Sequence, residues 1–191
     1  MRTTHFLLSL PLALLACTAV HAGDALRPCA NEPGPLPETC RIVVGNPGFD
    51  DGTLAPWLAA GPHSLPAVVQ NNGNAELQIR HPGGGVMQFV PLPTHAPQTA
   101  PATEYIASLR ARTDQGMATV RVSAAVMGQD WQPVPLFTRS YAVSTVPVDI
   151  SGAFFGAPML LPPQLILSVT RVDQNADASV FIDDVHMKQR R

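Results

Sequence analysis

Charge is what this chain has least of. Only 14% of its 191 residues are Asp, Glu, Lys or Arg, and the formal net charge is −2. Long helical coils and disordered tails both need dense charge, so the composition excludes them. A near-neutral balance also gives no general electrostatic reason to bind nucleic acid. Lysine is nearly absent. Lys188 is the sole one, close to the C-terminal end, so the core offers no amine for Schiff-base chemistry. Aromatic side chains make up just 6%. Beyond the first residues, no apolar run approaches the roughly 18 residues a spanning helix needs.

Proline and glycine are plentiful, at 20 and 14 residues, and the hydrophobic set reaches 46%. Proline and glycine at this density break helices and punctuate short strands. The length is enough to bury a core without obligatory metals or disulfides.

Residues 1–22 read as a secretory signal. Arg2 supplies the positive start, and residues 6–16 are apolar but for Ser9 and Pro11. Val20-His21-Ala22 is a small-x-Ala cleavage site. The mature protein is therefore expected to be exported, secreted or periplasmic. Leu14-Leu15-Ala16-Cys17 is also similar to a bacterial lipobox, so a lipoprotein anchored through Cys17 is the alternative. Either route leaves Cys29 and Cys40, which should pair in an oxidising compartment. Their spacing includes no C-x-x-C and they have no neighbouring histidine, which disfavours a metal or redox pair.

Residues 23–40 form a polar, Pro-rich lead stapled by that disulfide, and residues 41–191 form the domain. Period-two alternation predicts strands over residues 41–44, 75–81, 86–90, 104–112, 117–127, 131–144, 145–150, 165–172 and 179–187. Residues 131–150 carry prolines, which suits edge strands. Asp114-Gln115-Gly116 and Pro82-Gly83-Gly84-Gly85 are turns, and residues 91–102 are a loop. The fold class expected is all-β, an antiparallel sandwich or jelly roll.

Two segments carry a family likeness. One is Asn46-Pro47-Gly48-Phe49-Asp50-Asp51-Gly52-Thr53-Leu54-Ala55-Pro56-Trp57, and the other is Val180-Phe181-Ile182-Asp183-Asp184-Val185. Together they resemble the end motifs of carbohydrate-binding modules of the family 4, 9 and 22 type, N-x-G-F-E-x-G…W and F-x-I-D-D-V. Residues 105–112 also look like a central strand of those modules. The resemblance implies a galactose-binding-like jelly roll with a structural calcium. It places the ion's carboxylates at Asp50 and at Asp183 or Asp184. The family usually has Glu where this chain has Asp50, one methylene shorter. Asp50-Asp51-Gly52 is equally a natural turn, and one aspartate of the pair can simply face water.

Sugar binding needs flat aromatic faces and polar groups. Trp57 belongs to the opening motif and reads as structural, and Tyr105 lies on an apolar strand face. Trp131 and Tyr141 are the ligand candidates. Asp184 and His186 share a strand face, a pair that is more often solvated than metal-binding. There is no G-x-S-x-G, free nucleophilic cysteine or phosphate-binding glycine loop. The expected function is a secreted, non-catalytic protein that binds a polysaccharide or cell-surface glycan. The alternative is an envelope or extracellular structural or adhesion protein on the same fold, without sugar binding.

Overall fold

Alternation of apolar and polar residues dictates two faces for each strand, and the strands resolve into two antiparallel sheets. The computed structural model describes residues 26–29, 39–62, 64–92, 103–127, 132–156, 164–175 and 177–190. The signal over residues 1–22, the lipobox Cys17, most of the lead and Trp131 lie outside the described residues.

Eleven strands are described: β1 (Thr39–Ile42), β2 (Leu58–Ala60), β3 (Ala67–Asn71), β4 (Asn74–Ile79), β5 (Gly85–Pro91), β6 (Thr103–Thr113), β7 (Ala118–Met127), β8 (Pro133–Val143), β9 (Val148–Gly156), β10 (Gln164–Arg171) and β11 (Val180–Arg190). One sheet runs β3-β4-β11-β6-β9, and β1 also pairs with β11; the other runs β2-β5-β10-β7-β8. β11 can serve both β4 and β1 because it is long. Val180–Ile182 pairs with β4, and Met187–Arg190 pairs with β1.

The core lies between the sheets. In β6, Tyr105, Leu109 and Ala111 point inward, and Val120, Val122 and Ala124 do so from β7. Each fully buried Val or Leu contributes about 1.5–3 kcal/mol. Ile106 breaks the alternation by facing outward, where it stands between Lys188 and Ala153. β8, which carries Pro133 and Pro135, is an edge strand, where a missing ladder donor costs least, and β9, which follows Pro147, is the edge of the other sheet.

One charged side chain is fully enclosed among the described residues. Arg171 is fully buried at the end of β10. Its guanidinium donates to the Arg80 carbonyl at 2.7 Å, to the Ala178 carbonyl, and in a fork to Asp173 at 2.9–3.2 Å. The arginine thereby ties the β4–β5 turn to the connection before β11. A disulfide joins Cys29 to Cys40. It lies beside main-chain bonds from the Cys29 amide to the Arg41 carbonyl and from the Arg41 amide to the Arg27 carbonyl. Closing so small a loop is worth about 3 kcal/mol if the gain is entropic.

Two strands escaped the sequence pattern. β2 has only three residues, too few to show a period. β3 leads into Asn72-Gly73, both at positive φ, 52° and 82°. Those values fit the primed two-residue hairpin turn that pairs Asn71 with Asn74.

Candidate functional site

The two conspicuous sequence segments meet in space. Asn46 reaches across the opening loop with its side-chain amide, donating to Asp51 at 2.7 Å and to the Thr53 carbonyl at 2.8 Å. Asp51 in turn accepts from the Thr53 amide and hydroxyl, and the amide bond in particular holds its carboxyl below the usual range. Phe49 and Trp57 are buried against each other, with ring centroids 6.0 Å apart. The buried side chain of Gln88 donates to and accepts from the Gly45 main chain, pinning this loop to β5. The Val185 amide donates to the Pro47 carbonyl at 2.9 Å, which fastens the loop to β11.

Beside that contact lie the predicted metal residues. A Cβ on Gly48 would stand 2.8 Å from Asp50 Oδ2 and 3.6 Å from Asp183 Oδ1, so both carboxylates approach one glycine. Asp183 is buried, and burial raises its pKa. It accepts from the Asn74 side chain and the Asp184 amide, both at 2.7–2.8 Å. Asp184 sits at a bulge with φ 51° and turns instead to Arg110, at 3.4 Å. Asp50 and Asp183 thus share a corner, and Asp184 does not join them. Among the described residues, no three His, Cys, Asp or Glu side chains come together as a metal cluster.

The outer face of the six-stranded sheet is closed by its own charges. A cleft of about 410 Å³ opens over β4, β6 and β11. Within it Arg112 forks onto Glu76 and covers the Phe181 ring at 4.2 Å, and Arg110 binds Asp149 at 3.1 Å.

The five-stranded sheet differs. Its outward side chains fall in rows set by the strand register. One row runs Met87, Ser168, Ser123, Thr138 across β5, β10, β7 and β8. The next toward one end is Phe89, Ile166, Ala125, Pro135, and toward the other it is Gly85, Thr170, Arg121, Ser140. Leu58 of β2 extends the Met87 row and is 48% exposed, and Phe89 is 44% exposed. The surface therefore has an apolar end carrying one aromatic ring and a polar end of hydroxyls. The side-chain hydroxyls of Thr119, Ser123, Thr138, Ser140, Ser168 and Thr170 have no hydrogen-bond partner among the described residues. Such groups, aligned on a rigid sheet, are ready to bond a polyhydroxylated ligand.

Tyr141, one of the two predicted ligand residues, stands off this surface. It occupies the other side of β8, half-buried, and its hydroxyl donates to the Ser151 carbonyl at 2.8 Å. The Arg139 guanidinium lies 5.9 Å from its ring centre. Sequence reasoning missed Phe89 and the hydroxyl rows. Their signal was the Ser and Thr bias at the outward positions of β7 and β10.

No protein-family model matches the chain, and no curated protein matches it. Solved structures do. A family 4 carbohydrate-binding module superposes with a TM-score of 0.56 at 16% identity, over 78% of this chain and 100% of that one. The chain carries the carbohydrate-binding-module fold. The xylan-binding family 22 module of Paenibacillus barcinonensis Xyn10C matches at 0.55 and 15% identity, covering 75% of this chain and 92% of its own. A family 61 module solved with β-1,4-galactotriose matches at 0.52 and 19% identity, over 77% and 97%. The fold is not confined to binding modules. A cyclase from Fischerella sp. TAU, solved with an indole compound, matches at 0.57 and 13% identity, over 80% and 98%. The galactose-binding-like jelly roll expected from the end motifs is thus the observed fold, an all-β sandwich.

Proposed function

We propose that this is an exported, non-catalytic binding protein that holds a polysaccharide or cell-surface glycan on the outer face of its five-stranded sheet. The observation that carries the reading is the alignment of six unpartnered hydroxyls with one exposed aromatic ring on that face. The other sheet's outer cleft spends its charges on internal pairs. A sugar ring presents an apolar face and a rim of hydroxyls, which is what Phe89 and the Ser and Thr rows complement. The described part of the face offers recognition chemistry: hydroxyls, a guanidinium and apolar surface. The β-1,4-galactotriose held by the family 61 neighbour supports the same reading by analogy of fold. Trp131, just before β8 in the sequence, remains a proposed ligand residue, and Tyr141, which turns to the other side of β8, is not part of this face.

A structural calcium belongs to the proposal. Asp50 and Asp183 would hold it, with main-chain carbonyls of the opening loop completing an oxygen shell. Both donors are hard oxygens, and the glycine between them leaves room for the ion. Its contribution would be to neutralise two converging carboxylates.

A glycan array probed with the mature chain tests the function, followed by calorimetry on Phe89→Ala. Binding that falls at least tenfold in Phe89→Ala is expected. A folded chain that binds nothing on the array would leave the structural or adhesion reading in its place.

A further inference from the structure

The five-stranded face carries a single charged side chain among its described outward positions. Arg121 is exposed on β7, and among the described residues it belongs to no ion pair and no hydrogen bond engages its side chain. Its neighbours are hydroxyls on every side. Thr119 and Ser123 flank it along the strand, and Thr170 and Ser140 stand across from it on β10 and β7's other partner, β8. The nearby carboxylate of Asp173, which accepts from the Thr119 amide, is already taken by Arg171.

Resting on the glycan reading above, we infer that the ligand is an acidic polysaccharide containing uronic acid, with one uronate carboxylate bound by Arg121. The guanidinium is a planar fork that accepts a planar carboxylate through two parallel bonds. Elsewhere among the described residues four arginines find carboxylates within the chain, Arg110 with Asp149, Arg112 with Glu76, Arg171 with Asp173 and Arg190 with Glu104, while Arg27, Arg41, Arg80 and Arg139 pair with none; what sets Arg121 apart is its place among hydroxyls on this face. On this face no carboxylate answers Arg121 among the described residues, which leaves its fork open to a carboxylate carried by a ligand. The hydroxyls around it can then bond the ring oxygens that accompany a uronate.

Size follows from the register. Arg121 pairs through Thr170 to Gly85, and Phe89 lies four residues further along β5. At ordinary strand spacings this separates the cation from the aromatic ring by about 16 Å. One sugar cannot touch both, so the ligand is an oligomer laid diagonally over β5, β10 and β7.

The test is calorimetry with galacturonic-acid oligomers, their methyl esters, neutral xylo- and galacto-oligosaccharides, and dextran sulfate. The free acid should bind at least tenfold tighter than its methyl ester, which keeps the sugar and removes the charge. Arg121→Gln should erase that difference, and Arg121→Lys should restore only part of it, since the point charge lacks the fork. Circular dichroism and melting checks that both variants fold, as an exposed site should allow. Equal binding of acid and ester, or of neutral oligomers alone with no effect of Arg121→Gln, would overturn the inference and leave the glycan reading standing. Binding of dextran sulfate without the uronate would overturn it too. Failure of every oligosaccharide would sink both together.

Discussion

At the scale of single residues, the packing leaves little tolerance. Gly152 in β9 faces the core, and a Cβ there would come within 2.1 Å of Phe137 Cζ. That ring is itself stacked on Phe154, which stacks on Tyr105. Neither ring can yield without disturbing the next. Gly152→Ala should therefore cost about 1–3 kcal/mol, the usual toll of overpacking. Urea denaturation measures it, and a stability within 0.3 kcal/mol of wild type would show that Phe137 moves aside freely. Arg171 and Asp173 make a second residue-scale case. Burial by itself would raise Asp173, but the Thr119 amide, Arg171 and the Asn175 amide together hold it below the ordinary value of 3.8. A carboxylate with a depressed folded value stabilises the protein above about pH 4, and that contribution is lost as pH falls through the lower folded value. Asp183 works the other way, because its raised value favours the folded state in acid and is lost as pH rises through it. The quantity to measure is the difference between wild type and Asp173→Asn across the pH range 3–7. That difference should be about 3–5 kcal/mol at neutral pH, since Arg171 is left buried without its anion, and should shrink toward acid. A difference independent of pH would mean that the ion pair contributes nothing through ionisation.

At the scale of elements, strands with clean alternation were legible in the sequence and strands defined by their neighbours were not. Residues 104–112 and 117–127 showed their buried faces directly, and the structure extends them by no more than a residue or so at either end. β9 begins and ends later than its pattern suggested. Val148–Gly156 includes Gly152, a residue set by the Phe137 ring opposite it rather than by strand preference. β2 exists because β5 offers it an edge. The site divides in the same way. The end motifs pointed to the corner where Asp50 and Asp183 approach Gly48, and that corner formed. The proposed ligand face did not show in the sequence, because its described residues include neither Trp nor Tyr. The surface is built instead from Ser and Thr, small side chains whose meaning appears only when four strands are laid side by side. Tyr141 illustrates the converse. It was a reasonable aromatic candidate by type, yet strand parity sends it between the sheets, where Ser151 engages its hydroxyl.

At the scale of the whole molecule, the opening loop and the final strand are separated by most of the chain, and one corner joins them. The link already present is the bond from the Val185 amide to the Pro47 carbonyl, with Asn74 and the Asp184 amide satisfying Asp183. Two carboxylates facing one glycine repel each other without a cation, so an ion there would bind the folded state and hardly the unfolded one. Stabilisation then follows RT ln(1 + [L]/Kd), about 2.7 kcal/mol at a hundredfold excess of calcium over Kd. For a domain of this length that is a rise of roughly 5–10 °C in Tm. Asp50→Ala should abolish the calcium-dependent part, since Asp50 is exposed and has no other hydrogen-bonding role in the described structure. Asp114→Ala is the control. That carboxylate caps the Ser179 amide in a turn elsewhere, so the variant should melt lower yet keep the full calcium increment. Differential scanning calorimetry with EDTA and with millimolar calcium reads both. A Tm that EDTA leaves unchanged would remove the ion from this corner, and the jelly roll would be unaffected, because its sheets are held by register and core packing.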